Sequence, residues 1–173
     1  MKIQFKANLQ KTLESIIYLV SKNNELTSTV IFKLLFESDY FHLNSNARPI
    51  TGNNYFLKLE GFVPDIAEKI LNQDFLIVGF LEPEPYPLTK DSSDHVLAIR
   101  NPQLKYLSKS DIHFLDLVLD HYRKKTEDVQ LSISKNKAMT ETSMNHSIDF
   151  KLLITNSEVI DYLSENDPLL IVI

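Results

Sequence analysis

Two segments near the N-terminus carry apolar residues at helical spacing. The first, over residues 6–22, has the single apolar stripe of an amphipathic helix and ends before Asn23. The second, over residues 28–43, is apolar on one broad face and is predicted to be mostly buried. Thr27 or Ser28 can cap this second helix, because a short side-chain oxygen accepts the free N–H groups of a first turn. Two antiparallel helices joined by a short loop are the simplest arrangement.

Turn residues break this helical pattern in the middle of the chain. Asn, Ser, Pro and Gly cluster over residues 44–54, and the short run at 55–59 then predicts a strand. Pro64 is placed to open a helix over residues 65–72, because its missing N–H costs nothing in a first turn. The chain therefore changes from long helices to short alternating elements.

Two short apolar runs, at 75–81 and 95–99, favour a pair of antiparallel strands. Between them, residues 82–87 (EPEPYP) hold three of the seven prolines, so this segment is predicted to be an extended, exposed loop. The two apolar runs would then form a hairpin on either side of that loop.

The clearest helix in the sequence covers residues 109–124. Ser108 precedes it and Asp111 lies three residues later, which is a variant of the capping box with Asp in place of Glu. The pattern weakens afterwards, and the remaining predicted elements are a short helix at 135–143, a strand at 150–154 and a helix at 157–163. The fold class that these elements predict is α+β: a mainly helical single domain with a small antiparallel β-sheet or hairpin.

Composition narrows the range of functions. The 173 residues suit one domain, and the absence of cysteine removes disulfides, thiol catalysis and cysteine zinc sites. None of the phosphate-loop, dinucleotide-binding, nucleophile-elbow or metalloprotease motifs occurs, so we expect no enzyme and no cofactor. The net charge of −5 disfavours a nucleic-acid partner. With no long apolar run and no leader-like N-terminus, the sequence predicts a cytoplasmic protein without membrane contact.

Two helical segments hold acidic and histidine residues at a spacing that could begin a metal site. Asp39 and His42 lie three residues apart on one helix, and His113, Asp116 and Asp120 lie along a later one. Zinc requires three or four converging ligands. Polar helix faces and caps account for these residues without a metal, and we therefore expect none.

The most specific signal is the stretch KLLFESDYFHLNSNARPITGNNYFLKLEGFVP, from Lys33 to Pro64. It resembles the Panacea domain, the antitoxin domain typified by SocA-like proteins, which reads K-L-L-Y-x-A-D-Y-x-H-L, then G-R-P-I-T-G, then G-P-V-P before a helix. Ala47 and Phe62 depart from that pattern. The matching residues, which are candidates for a structural or partner-binding role, are Lys33, Asp39, Tyr40, His42, Arg48, Pro49, Thr51, Gly52, Gly61, Val63 and Pro64.

This resemblance implies an antitoxin, which neutralises a cognate toxin by direct protein–protein binding. The alternative that it implies is a proteolytic adaptor, which delivers a toxin to a Clp-type protease. The Panacea-like domain would cover residues 1–143, and residues 144–173 would form an acidic C-terminal extension packed on the same domain. An acidic protein with apolar surface strips is compatible with sequestering a protein partner.

The matched motif also has a direct physical interpretation. Asp39 and Arg48 are opposite charges on either side of a turn, and a carboxylate suits a guanidinium, so the two are predicted to pair. Gly52 supplies a backbone conformation that other residues avoid, next to Thr51, whose hydroxyl can bond the local backbone. A scaffold of this kind would leave variable loops to choose the partner.

The C-terminal segment combines acidity with an apolar end. Residues 138–173 hold six acidic residues and one basic residue. The last five residues are branched and apolar, and if exposed they would invite aggregation through unpaired strand edges. They are expected either to add a strand to the domain's own sheet or to bind a partner by strand addition. These candidate partner-binding residues are Leu169, Leu170, Ile171, Val172 and Ile173.

Overall fold

Short strands alternate with helices along residues 2–74, 86–166 and 170–172, which are the residues that the computed structural model describes. The helices in these ranges are α1 (Leu9–Lys22), α2 (Ser28–Asn46), α3 (Asp65–Leu71), α4 (Lys109–Lys124), α5 (Val129–Glu141) and α6 (Ser157–Asn166). The strands are β1 (Ile3–Phe5), β2 (Tyr55–Lys58), β3 (Gly61–Pro64), β4 (Leu88–Lys90), β5 (Val96–Ala98) and β6 (Leu170–Val172). Two 3₁₀ turns cover Leu104–Tyr106 and Phe150–Leu153. The prediction of a mainly helical α+β fold is confirmed.

Helix α2 is the central element of the structure. Helix α4 and strand β3 pack along it, and α1 and α3 also contact it. Its apolar side chains divide between two clusters. Leu34 and Leu35 lie in a cluster with residues of α1 and α4, while Phe36 and Tyr40 lie in a second cluster with residues of β1, β2 and the C-terminal segment. Because the two clusters together cover α2, polar residues of this helix such as Asp39 are buried as well.

The strands form three antiparallel pairs within the described residues: β1 with β6, β2 with β3, and β4 with β5. In the β2–β3 hairpin, Tyr55 lies opposite Pro64. Residues 145–148 run along the other edge of β2, because they exchange main-chain hydrogen bonds with Tyr55 and Leu57 at 2.7–3.0 Å. The β2–β3 hairpin is therefore held between α2 and the C-terminal segment.

The ends of α4 and α2 test the capping residues that the sequence predicts. The capping box of α4 is confirmed: Ser108 Oγ accepts from the Asp111 N–H at 3.1 Å, and the Asp111 carboxylate accepts from the Ser108 N–H at 2.8 Å. At α2 the N-cap residue is Thr27, although its side chain makes no capping hydrogen bond. Helix α2 continues past residue 43 and ends where Ala47 adopts the left-handed conformation, with φ of 54°.

Helix α5 is longer than the predicted segment at 135–143. It begins at Val129, because Asp128 accepts a hydrogen bond from the Leu131 N–H at 2.8 Å and so caps a first turn that apolar periodicity does not reveal. The helix predicted at 157–163 is confirmed as part of α6. None of the helices in the described ranges has the length and apolar character that crossing a membrane requires.

The strand predicted at 150–154 is wrong, because these residues form the 3₁₀ turn Phe150–Leu153. The Asp149 carboxylate accepts the Lys151 main-chain N–H at 2.9 Å and so caps this turn. Phe150 and Leu153, three residues apart, are both fully buried. The turn places both apolar side chains in one cluster, which an extended strand would not do.

Strand β5 pairs with β4, with Leu88 opposite Ala98. The strand predicted at 75–81, which was to form a hairpin with 95–99, lies outside the described residues. Strand β4 was absent from the prediction, because only one of its three residues is apolar.

The exposed loop predicted at 82–87 is wrong for its last two residues, and its first four lie outside the described residues. Tyr86 is half-buried and Pro87 is buried. The Tyr86 hydroxyl donates to the main-chain carbonyl of Ile70, and the Pro87 carbonyl accepts the Ile99 N–H at 2.8 Å. These contacts tie the end of the segment to α3 and to the β4–β5 pair.

The apolar C-terminal end pairs with a strand that the sequence did not predict. The main chain of β6 runs antiparallel to β1, with Ile3 opposite Val172 and Phe5 opposite Leu170. Of the two arrangements expected for this end, the observed pairing is the one within the chain. Leu169 and Ile173 lie outside the described residues.

Candidate functional site

Asp39 lies at the centre of a buried polar network beneath the Arg48–Gly52 turn. The residue is 1% exposed and accepts the main-chain N–H groups of Ile50 and Thr51, both at 2.8 Å. The hydroxyls of Thr51 and Tyr55 donate to it at 2.5 and 2.8 Å. Burial raises the pKa of Asp39, although these four hydrogen bonds oppose that rise. The carboxylate therefore fastens the turn to α2 and β2.

The predicted pair between Asp39 and Arg48 is wrong. Arg48 instead places Nη2 3.0 Å from Oδ1 of Asp111, in the first turn of α4. Each oxygen of Asp39 already accepts two hydrogen bonds, from main-chain N–H groups on one side and from hydroxyls on the other. Since a carboxylate has about four lone-pair positions, none is left for a guanidinium.

Asp111 joins α4 to α1 and to the Arg48–Gly52 turn. Its carboxylate accepts the Lys11 ammonium at 2.7 Å, the Arg48 guanidinium at 3.0 Å and the Ser108 main-chain N–H at 2.8 Å, and the side chain is fully buried. Burial alone would raise the pKa of Asp111, but hydrogen bonds from His42, Lys11 and Ser108 hold it well below its usual range. Asp111 is therefore a buried anion that holds two cations from elsewhere in the chain.

His42 completes this network from α2. Its Nδ1 lies 2.7 Å from the Arg48 carbonyl oxygen, and because a carbonyl can only accept, Nδ1 donates. Its Nε2 lies 3.0 Å from Ser110 Oγ and 3.2 Å from Asp111 Oδ1. Within the described residues, no group of three or more His, Cys, Asp or Glu residues converges as metal ligands.

Gly52 allows the turn to approach the N-terminal strand. Its φ is +67°, and a Cβ at this position would lie 2.7 Å from the Lys6 main-chain oxygen. We expect Gly52→Ala to lower the free energy of unfolding by roughly 2 kcal/mol, because backbone strain and a steric clash add. Urea denaturation measures this loss.

Ala47→Gly is the matched control for Gly52→Ala. Ala47 has φ of 54°, so the change to glycine isolates the conformational part and is expected to stabilise the protein by about 1 kcal/mol at most. A Gly52→Ala loss no larger than the Ala47→Gly gain would contradict the close approach as a source of destabilisation.

A groove opens between the first half of α2, strand β3 and helix α5. It encloses about 180 Å³ and is lined mostly by apolar side chains. The rings of Phe36 and Phe62 line it and stack on each other, with centroids 4.7 Å apart and 19° between their planes. Three residues of the matched motif, Lys33, Gly61 and Val63, line the same groove. The motif therefore reaches an accessible surface here.

Glu37 is a nearly buried charge in this groove. Its side chain is 8% exposed, and within the described residues it accepts no hydrogen bond. The Lys33 ammonium lies 3.8 Å from Oε1. Burial raises the pKa of Glu37, and the charges of Lys33 and Lys135 only partly oppose this rise. The groove thus combines an incompletely paired carboxylate with aromatic surface.

A second, basic cleft of about 380 Å³ lies beside the Arg48–Gly52 turn. Lys6, Lys11 and Arg48 contribute its charges. Two of these cations, Lys11 and Arg48, already share the carboxylate of Asp111. The apolar groove is therefore the better candidate for binding a partner, because its carboxylate is less completely paired.

The structure separates the matched motif residues into two main sets. Asp39, His42, Arg48, Thr51 and Gly52 build the buried network, while Lys33, Gly61 and Val63 line the groove. The other three are buried elsewhere: Tyr40 in the second apolar cluster, Pro49 in the turn, and Pro64 as the N-cap residue of α3.

Sequence reasoning missed two acidic residues of these two sites, Asp111 and Glu37. Asp111 was recognised only as part of a cap, because Lys11 and Arg48 are 100 and 63 residues away from it in the chain. Glu37 offered a usable signal, since it is an acidic residue in a helix predicted to be mostly buried.

Comparison with known proteins points to one family. The sequence model described as antitoxin SocA-like, Panacea domain, matches residues 31–138. This range covers more than half of the chain and contains most of α2, all of α4, the Arg48–Gly52 turn and most of the residues that line the groove. Neither the curated proteins nor the solved structures gave a match.

Proposed function

The chain belongs to the antitoxin SocA-like, Panacea domain family, and from this membership we propose that it neutralises a cognate toxin in the cytoplasm by direct protein–protein binding. The match over residues 31–138 carries the proposal. It includes every residue of the motif stretch Lys33–Pro64, so the likeness is not confined to a single helix or turn.

The buried network supports a binding role over a catalytic one. Asp39 is 1% exposed, and hydrogen bonds from the turn and from β2 occupy its lone pairs. His42 and Asp111 are likewise closed to solvent and bonded to neighbouring elements. Groups held in this way stabilise the fold and cannot reach a substrate, so the motif supplies a scaffold.

The groove supplies the kind of surface that a protein partner requires. Interfaces concentrate aromatic side chains at their centre and charged groups at their rim. Phe36 and Phe62 line the groove, together with Lys33, Glu60 and Lys135. These features support recognition of a protein.

We further propose that residues 144–173 belong to the same domain as residues 1–143. Ile148 and Phe150 lie in one apolar cluster with Tyr55, and β6 pairs with β1. The main chain of β6 is thus already paired with β1 of the same chain. The partner-binding role of Leu169–Ile173 stays a prediction.

The proposal predicts that this chain rescues cells from the product of a neighbouring gene. The gene product is expressed alone and together with this chain, first in ordinary cells and then in cells that lack Clp-type proteases. We expect growth to stop with the neighbour alone and to recover with both proteins in either strain. The two proteins are also expected to elute together after mixing in purified form.

Other outcomes separate the alternatives. Rescue that disappears without the protease would replace neutralisation by binding with the proteolytic adaptor. A toxic neighbour that this chain neither rescues nor binds would contradict the antitoxin proposal.

A further inference from the structure

We propose that the toxin docks in the groove between α2, β3 and α5, and that this groove receives an arginine or lysine side chain with apolar residues beside it. This inference rests on the proposed function and names the surface and the chemistry of the partner. It is carried by Glu37 and by the size and lining of the groove.

The state of Glu37 identifies the charge of the occupant. A carboxylate removed from water needs hydrogen bonds or close cations to compensate for lost hydration. Glu37 has an exposed side-chain fraction of 8%, accepts no hydrogen bond within the described residues and has its ion-pair cation at 3.8 Å. The fully buried Asp111 carboxylate, by contrast, accepts hydrogen bonds from the Lys11 ammonium at 2.7 Å and the Arg48 guanidinium at 3.0 Å. A donor entering the groove would give Glu37 the contacts that Asp111 already has.

The lysines that line the groove leave room for such a donor. The Lys33 side chain is 53% exposed, so it can turn into solvent when another cation approaches Glu37. Lys135 lies 3.7 Å from Glu127, which gives it an acidic neighbour of its own. An acidic ligand would meet both Glu37 and Glu60 on the lining and is disfavoured.

The lining and the volume identify the rest of the occupant. Small-molecule sites usually enclose about 300–1,000 Å³. The groove has about 180 Å³, which suits one long side chain of a larger partner. The Phe36 and Phe62 rings provide faces for a guanidinium and for apolar neighbours. The net charge of −5 on the chain favours approach of a basic partner.

The first test removes the charge of Glu37 and keeps its shape. The probe is the purified toxin encoded by the neighbouring gene, titrated by calorimetry into each variant. Glu37→Gln is expected to weaken binding about tenfold or more, because a buried charge pair is lost. Glu141→Gln, an exposed carboxylate on α5 that does not line the groove, is the matched control and is expected to bind as the wild type does.

The second test blocks the groove without changing its charge. Thr29 is exposed and lines the groove, so Thr29→Trp places a bulky ring at its opening. This variant is expected to lose binding by a similar factor. Thr140→Trp, an exposed position on α5 outside the lining, is the control and is expected to retain binding.

A stability measurement separates loss of a contact from loss of the fold. Wild type is expected to be no more stable than Glu37→Gln at pH 7, because burial raises the pKa of Glu37 and the native state must hold a poorly solvated charge. Any difference in the free energy of unfolding between wild type and Glu37→Gln should close as the pH falls through that raised pKa and Glu37 becomes neutral. A Glu37→Gln variant that melts clearly below the wild type would assign Glu37 to the fold and overturn the proposal.

The binding results distinguish failure of the groove proposal from failure of the antitoxin proposal. Loss of binding in both groove variants, with intact controls, supports the groove and its basic occupant. If only Thr29→Trp loses binding, the basic side chain is ruled out. If only Glu37→Gln loses binding, the occupant does not pass the opening of the groove at Thr29, and the proposed docking fails. If wild type and both variants bind alike, the groove proposal fails and the antitoxin function stands. If wild type does not bind the toxin, both proposals fail.

Discussion

Asp39→Ala is expected to lower the free energy of unfolding by about 3–5 kcal/mol, the largest effect of any single substitution proposed for this protein. The change leaves the N–H groups of Ile50 and Thr51 and the Tyr55 hydroxyl without their acceptor, in a region closed to water. Each unsatisfied buried donor costs about 1–3 kcal/mol. A domain of ordinary stability has about 5–15 kcal/mol in total, so this loss would remove a large share of the free energy of unfolding. Urea denaturation followed by circular dichroism measures the loss.

Asp39→Asn provides the graded control for this prediction. The amide oxygen can still accept the two main-chain N–H groups, but the amide nitrogen cannot accept from Thr51 or Tyr55. Asp39→Asn should therefore lose about half as much free energy of unfolding as Asp39→Ala loses. A loss below about 1 kcal/mol in Asp39→Ala would mean that water replaces the carboxylate, and that the turn does not depend on it.

The parts of the fold that the sequence predicted correctly are those determined by residues within one or two helical turns of each other. The α4 capping box needs only Ser108 and Asp111, three residues apart, and both of its hydrogen bonds form. The main helices follow from apolar periodicity, and Gly52 does adopt the positive φ expected of the turn. In each case the cause and the structure it produces are neighbours in the chain.

The errors arise where distant groups compete with local ones. Asp39 and Arg48 have opposite charges and lie close in sequence, so pairing them was the natural prediction. Main-chain N–H groups occupy Asp39 instead, and such donors have no signature in a sequence because every residue except proline carries one. Arg48 then finds its acceptor 63 residues away.

The candidate binding site was predictable only in part. The resemblance marked Lys33, Gly61 and Val63, and these do line one groove. It did not reveal that α5 closes the groove through Lys135, since contacts between distant helices depend on the packing of the whole chain. The strand β1 was missed for a related reason, because three residues are too few to show a period and its partner lies at the other end of the sequence.

Asp111→Ala is expected to cost about 3 kcal/mol, near the lower end for removing one member of a buried ion pair. The change removes the acceptor for Lys11, Arg48 and the Ser108 N–H together. The loss stays near that lower end because the Lys11 and Arg48 side chains are 21% and 34% exposed and can regain water. Thermal and urea denaturation of the variant measure it.

The pH dependence of stability gives an independent check on the same carboxylate. The native pKa of Asp111 is lowered, so its contribution is complete above the unfolded pKa of about 3.9 and is lost as the pH falls below it. Wild type should therefore exceed Asp111→Asn in stability at pH 7, and the gap should narrow steadily toward pH 2. A gap that is constant over this range would show that the charge of Asp111 does not contribute.

Lys11 and Arg48 test whether Asp111 acts as a shared anion. Each single change, Lys11→Ala or Arg48→Ala, leaves Asp111 with the other cation, so each is expected to cost only about 1 kcal/mol. The double variant leaves a buried carboxylate without a lysine or arginine partner and should cost more than the two single losses together, by about 1 kcal/mol or more. Additive losses would mean that the two cations contribute separately, with His42 and the Ser108 N–H sufficient to hold Asp111 in its charged form.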